Sequence, residues 1–165
     1  MLFRSFFLAS KVRLSLDYLR YLQPAYAATP ALQQRARVRT PRGLLALLQL
    51  PGAGTSAGRA LVASVLDAID HAVEPSLRIE KYFDDHRPDL VIITPLVGVV
   101  ASSQLDVLRS AQARGIPTAV CVWSWDHLSS KAIIRDLPDR LFVWNNVQRE
   151  EATTMHGVQI GRAHV

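Results

Sequence analysis

Val120-Cys121-Val122-Trp123-Ser124-Trp125-Asp126-His127-Leu128-Ser129-Ser130-Lys131 is the stretch on which the fold turns. Its first half is apolar and β-branched, as a buried strand requires. Its second half crowds polar side chains into eight positions, as a loop at a strand end does. Two similar runs flank it. Leu90-Val91-Ile92-Ile93-Thr94 follows Pro88-Asp89 and reads as a strand covered on both faces. Arg140-Leu141-Phe142-Val143-Trp144 follows the turn Leu137-Pro138-Asp139 and reads as a third strand. Between the first two, residues 95–101 form a loop. Ser102 or Ser103 then caps a helix through Arg114 that faces the sheet with Leu105, Leu108 and Ala111. Gly115 closes that helix and Pro117 forbids its continuation. After the second strand, Ser129-Ser130-Lys131 starts a short helix or turn through Arg135. Asn145 or Asn146 caps a last helix, through His156 and closed by Gly157. Connections of this length require parallel strands and right-handed crossovers. The predicted fold is therefore α/β: a Rossmann-like parallel sheet with flanking helices over 88–159, preceded by a helical segment over 6–87.

The helical segment reads in pieces. Phe7, Leu8, Val12, Leu14, Leu16, Leu19 and Leu22 recur at helical spacing over residues 6–22, with a break near Ser15. A short helix over residues 32–38 ends before Pro41. Residues 43–50 have the Leu and Ala content of a helix. Pro51-Gly52-Ala53-Gly54-Thr55-Ser56-Ala57-Gly58-Arg59 mimics a phosphate loop, but five residues separate Gly52 from Gly58, and Arg59 stands where that motif needs Lys. It reads as a turn between helices, with Thr55 or Ser56 capping the next one. That helix, residues 60–73, is expected to bury Leu61, Val65, Leu66 and Ile69. A further helix over residues 77–86 points Ile79, Tyr82 and Phe83 inward. His71 and His86, near helix ends, read as C-terminal caps or exposed residues.

With 165 residues, 49% of them hydrophobic and 20% charged, the chain is long enough for one domain with a real core. The net charge of +5 arises in residues 1–42, which hold eight basic residues and one acidic one. Arg35, Arg37 and Arg39 lack the aromatic interleaving of a nucleic-acid surface and read as a solvated face, so no nucleic-acid partner is expected. The basic segment is compatible with peripheral contact at an anionic membrane surface. The single cysteine, Cys121, excludes an internal disulfide and fits a reducing, cytoplasmic compartment. No apolar run reaches the roughly 20 residues that span a bilayer. The two ends carry a further signal. Leu2-Phe3-Arg4-Ser5 and Ile160-Gly161-Arg162-Ala163-His164-Val165 can be encoded by mutually reverse-complementary DNA resembling a sequencing adaptor. The expectation is that residues 1–5 and 160–165 are appended tails and that native sequence continues past both.

Ligands of open α/β sheets sit beyond the carboxyl ends of the strands. There the sequence offers Thr94 and Pro95, then Ser124, Trp125, Asp126, His127, Ser129, Ser130 and Lys131, then Asn145. Asp126 can accept a substrate hydroxyl or act as a base, and His127 can do so near neutral pH. Ser129, Ser130 and a helix start can hold an anion, with Lys131 as counter-charge. One of Trp123 and Trp125 should face the core while the other lines the pocket or stacks on a sugar. The structural alternative makes Asp126 an N-cap, the serines partners of the backbone, and Lys131 a solvated cation. A Ser-His-Asp relay does not fit within one short loop, and no nucleophile elbow is present. No His, Asp or Glu pair has metal-ligand spacing, and no glycine fingerprint for a dinucleotide follows any strand.

Several segments together carry a resemblance. They are Arg87-Pro88-Asp89-Leu90-Val91-Ile92-Ile93-Thr94-Pro95-Leu96, Ser124-Trp125-Asp126-His127-Leu128-Ser129-Ser130-Lys131, Pro138-Asp139-Arg140-Leu141-Phe142-Val143-Trp144-Asn145, Gln148-Arg149-Glu150-Glu151-Ala152 and His156-Gly157. With Leu16-Asp17-Tyr18-Leu19-Arg20-Tyr21-Leu22 upstream, the chain resembles the N-terminal domain of bacterial glycosyltransferases of the GT-B architecture, close to a surface-polysaccharide branch. Three positions depart from that pattern: Asn is usual at His127, Gly at Ala132 and an acidic residue at Asn146. The resemblance implies an acceptor-side or cleft-lining role for the loop, with a glycan or lipid-linked acceptor. It implies a nucleotide-sugar donor held by a second domain beyond Gly157, with no cofactor held by this part, which alone would be inactive. Alternatives are a teichoic-acid-type glycerophosphotransferase, a nucleotide-sugar epimerase relative, or a non-catalytic α/β binding domain.

Overall fold

The computed structural model describes residues 2–27, 29–96, 103–131 and 133–165, with side chains from Leu8 onward and without that of Lys131. Part of the expected loop, 97–101, and Ser102 as a cap lie outside the described residues. The chain forms two compact units, Met1–Glu74 and Pro75–Val165.

The first unit is helical: α1 (Leu2–Tyr21), α2 (Pro30–Arg39), α3 (Arg42–Leu47) and α4 (Ser56–His71). Helix α1 runs unbroken through Ser15, whose hydroxyl donates back to Lys11 O at 2.8 Å and shares that acceptor with the helix ladder. It is the central helix and is buried on more than its apolar stripe. Arg13, Ser15 and Asp17 are buried beside Ala9, Val12 and Leu19, whereas Leu8 is exposed. Arg13 Nε donates to Asp70 Oδ1 of α4 at 2.8 Å, and both side chains are almost fully buried. This ion pair ties α4 to α1. Of its predicted core face, Leu61, Val65 and Ile69 are instead exposed and Leu66 is half-buried, while Asp70 is fully buried. Leu61 and Val65 line an apolar groove of about 430 Å³ with Val12, Leu44 and Leu47. Arg35, Arg37 and Arg39 lie exposed along α2.

The glycine-rich turn before α4 is a cap. Thr55 Oγ1 accepts from the Gly58 N–H at 3.1 Å and donates to Gly52 O at 2.6 Å. A Cβ at Gly58 would lie 2.1 Å from Gly52 O, so only glycine lets the turn close this tightly. The amide a phosphate would need is already used.

The second unit opens with α5 (Leu77–His86), which packs on α6 (Gln104–Ala113) through buried Phe83. Tyr82, expected inward, is exposed and stacks on His86. Arg114 sits over the Phe83 ring and bridges Glu80 and Asp84, at 2.7 Å each. Pro75, the first residue of this unit, lies just ahead of α5.

Strands β1 (Val91–Ile93), β2 (Thr118–Cys121), β3 (Arg140–Phe142) and β4 (Ala163–His164) form one parallel sheet in the order β1-β2-β3-β4. The α/β, Rossmann-like class read from the sequence is the observed one. Residues 160–165, read as a tail, supply a 3₁₀ turn and β4, with Ala163 in the core. The core lies on one face of the sheet. There Ile93, Val120, Val122, Leu141 and Val143 meet Leu105 and Leu108 of α6 and Ala152 of α7 (Asn146–His156). Each step to the next strand runs in the same direction, so crossovers of one hand put both helices on that face. The expectation that β1 is covered on both faces fails for this reason: Ile92, on the other side, is 59% exposed.

Candidate functional site

The ladder between β2 and β3 continues one step past the strands, Val122 N–H donating to Phe142 O at 2.9 Å. The chain then breaks into a tight polar turn. Asp126 is its hub. Ser124 Oγ donates to Asp126 Oδ1 at 2.8 Å. Ser130 Oγ lies 2.9 Å from Asp126 Oδ2 and 2.8 Å from its carbonyl oxygen, so its one proton is shared between them. The expected helix through Arg135 is a single π-helical turn, His127–Lys131. Such a turn has no helix N-terminus to offer an anion, and π turns are frequent at functional sites. The Lys131 side chain lies outside the described residues.

The turn is held from α7 by two buried side chains absent from the sequence-derived site. Gln148, 1% exposed, donates from Nε2 to Ser124 O (2.8 Å) and Trp125 O (3.0 Å) and accepts from Trp144 N–H at 2.8 Å. His156 lies two turns further along. Its Nδ1 accepts from Ile134 N–H at 3.2 Å, so Nε2 carries the proton and donates to Leu128 O at 2.8 Å. A third α7 residue, Glu151, sits against Ser129. Burial pushes the Glu151 carboxyl up, and a hydrogen bond from the Ser129 hydroxyl offsets part of that rise. One Glu151 carboxylate oxygen, Oε2, is buried without a hydrogen-bond partner. The sequence signal for Gln148 was its place three residues after the cap Asn145, where a capping-box Gln reaches back over the helix start. Glu151 and His156 follow at i+3 and i+8, on the same face.

The ten predicted site residues are thus sorted. Ser124, Asp126 and Ser130 are bonded together, with Trp125 projecting beside them at 74% exposure. Ser129 is engaged by Glu151. His127 is 2% exposed, inside the turn rather than facing a cleft. Asn145 caps α7, its Oδ1 accepting from Gln148 N–H at 2.9 Å. Thr94 and Pro95, joined by a cis peptide, end the neighbouring strand, and Thr94 O accepts from Gln104 of α6 at 3.3 Å. The expected division of the tryptophans also changes. Neither Trp123 nor Trp125 enters the core, and Trp123 is 63% exposed. Among the described residues no cluster of His, Cys, Asp and Glu could hold a metal ion. Among them, too, no helix is long and apolar enough to cross a membrane.

Chemically, the turn offers a carboxylate fixed by two hydroxyls, an exposed indole beside it, and a rigid backbone. Comparison with known protein families, curated proteins and solved structures gives no match.

Proposed function

We propose that this chain is the acceptor-side Rossmann-like domain of a glycosyltransferase, working at the cytoplasmic side of a membrane on a glycan or lipid-linked acceptor. The observation that carries the reading is the pairing, at the carboxyl end of β2, of the exposed Trp125 ring with the Ser-braced Asp126 carboxylate. An indole stacks on the apolar face of a sugar, while a carboxylate accepts from adjacent hydroxyls. The resemblance of the 124–131 segment to GT-B enzymes supports the same assignment. In this reading Asp126 orients the acceptor, and Gln148 and His156 hold the turn in shape. The nucleotide-sugar donor belongs to a second domain.

Saturation-transfer NMR with a panel of oligosaccharides and short lipid-linked saccharides tests this. Binding that is lost in Trp125→Ala and in Asp126→Ala, both still folded, is the expected result. No transfer to any saccharide, or transfer unaffected by both substitutions, overturns it. A non-catalytic α/β binding domain is the second reading. It is favoured by the engagement of both Asp126 oxygens in local hydrogen bonds.

A further inference from the structure

We propose that His156 is an acid-sensitive latch: its neutral ring holds residues 128–134 against α7, and protonation releases them. The residue is 4% exposed at the end of α7 and closes two contacts across the turn. Nδ1 accepts from Ile134 N–H at 3.2 Å, and Nε2 donates to Leu128 O at 2.8 Å. Together these contacts need the neutral form. An imidazolium is a donor at each nitrogen and accepts nothing. Protonated in place, Nδ1–H would oppose Ile134 N–H, two buried donors with no acceptor between them. The ring therefore takes a proton only once the Ile134 contact opens.

The held segment is suited to such a release. Residues 133–139 form no helix or strand, so Ile134 N–H depends on the imidazole rather than on a ladder. Buried Leu128 and Ile134 anchor the segment, which loosens rather than unfolds. Ser130, a brace of Asp126, lies within it. The turn and β4 pack on α7, and their ionisable groups leave His156 as the source of acid sensitivity. The turn contributes Asp126, His127 and Lys131, followed by Arg135 and Asp136. Asp126 is bonded by Ser124 and Ser130, and Asp136 pairs with Arg109 of α6 at 2.7 Å. Lysine and arginine do not titrate in this range. His164 of β4 sits beside the exposed Phe142 ring. On α7 itself Arg149 and Glu150 are exposed. Glu151, raised by burial, is relieved by taking a proton and so acts in the opposite sense. His127, buried in the turn, is the rival imidazole.

Released, the ring titrates at the ordinary imidazole value, about 6.5. Proton uptake favours the open segment below that value, and the latch is in force above it. The opening constant of the segment should thus rise about thirtyfold between pH 7.5 and pH 5. The latch follows from the turn's geometry, while its control of acceptor binding rests on the glycosyltransferase reading.

Amide exchange by NMR on the full chain, corrected for the intrinsic pH dependence of exchange, tests it. The Ile134 N–H should show the rise, and the Val122 N–H, bonded within the sheet, should not. His156→Gln keeps an acceptor and a donor but cannot titrate, so it should abolish the step. His127→Asn should retain it. In the wild-type chain, long-range proton–nitrogen correlation should find His156 protonated on Nε2 alone at pH 7.5. Ile134 protection unchanged at pH 5, a rise matched by Val122, a step that survives His156→Gln or vanishes in His127→Asn, or an imidazolium at pH 7.5 each overturns the inference. A step at Ile134 with no saccharide binding at either pH supports the latch and counts against the glycosyltransferase reading alone.

Discussion

Replacing Gln148 with alanine would strand three backbone groups at once: the carbonyls of Ser124 and Trp125 and the N–H of Trp144. Buried partners left unmade cost more than an average hydrogen bond contributes. Gln148→Ala should therefore destabilise by about 2–4 kcal/mol in denaturant unfolding. Saccharide binding at Trp125 should weaken with it, because the turn carrying that ring loses its anchor. Glu151 makes a pH-dependent prediction. Its folded carboxyl is raised above the ordinary value by burial. The folded state therefore takes up a proton more readily than the unfolded one, and stability falls as pH rises through the folded value. Relative to wild type, Glu151→Gln should be more favourable at pH 7 than at pH 3.5, where both side chains are neutral. Paired thermal melts at the two pH values check the sign. An equal difference at both would show that the carboxyl does not carry this penalty.

At the scale of elements, two polar ties join segments far apart in sequence. Arg13 and Asp70 link α1 to α4 in a nearly dry setting. Removing one partner breaks a buried ion pair, so Asp70→Ala should cost about 3–5 kcal/mol. A well-packed apolar replacement of both residues should recover much of that loss. The second tie joins the start of β2 to the residue before β3. Asp139 Oδ2 accepts from the Thr118 hydroxyl and the Thr118 N–H, both at 2.8 Å. These bonds, the hydroxyl's first, hold the Asp139 carboxyl below its usual 3.8. A depressed carboxyl contributes stability above its unfolded value and loses it as pH falls through the folded one. Asp139→Ala should therefore cost about 1 kcal/mol at pH 7, given its exposure, and the gap to wild type should narrow below pH 4. Chemical denaturation along a pH series measures it.

At the scale of the molecule, the chain forms two compact units, Met1–Glu74 and Pro75–Val165, and the sheet core lies wholly within the second. Destabilisation should then be local. Leu141 is fully buried in the sheet core, and Leu141→Ala should cost about 2–5 kcal/mol. Hydrogen exchange followed by mass spectrometry should show faster exchange in β1–β3, α6 and α7, with α1 and α4 unchanged. Asp70→Ala should give the reverse pattern. Loss of protection across both units from either substitution would mean that the chain unfolds as one.

Read by itself, the sequence determined the class of fold and the position of the polar turn. Apolar β-branched runs, the caps Asn145 and Thr55, and the closing glycines Gly115 and Gly157 are local signals, legible because period and backbone geometry act over a few residues. Only the tertiary structure decided which side of each element faces inward. The stripe Leu61-Val65-Ile69 has a core pattern, yet it stays exposed while Asp70 of the same helix is buried against Arg13. Ile92 and Phe142 lie in strand-like runs, yet a strand order stepping one way leaves their face without a helix. Asp126 and its serines were readable within one segment, whereas Gln148 and His156 reach them across more than twenty residues. That separation is the physical reason for the divide: spacing along a chain encodes local geometry, but a buried polar partner becomes visible only when the fold brings it within hydrogen-bonding distance.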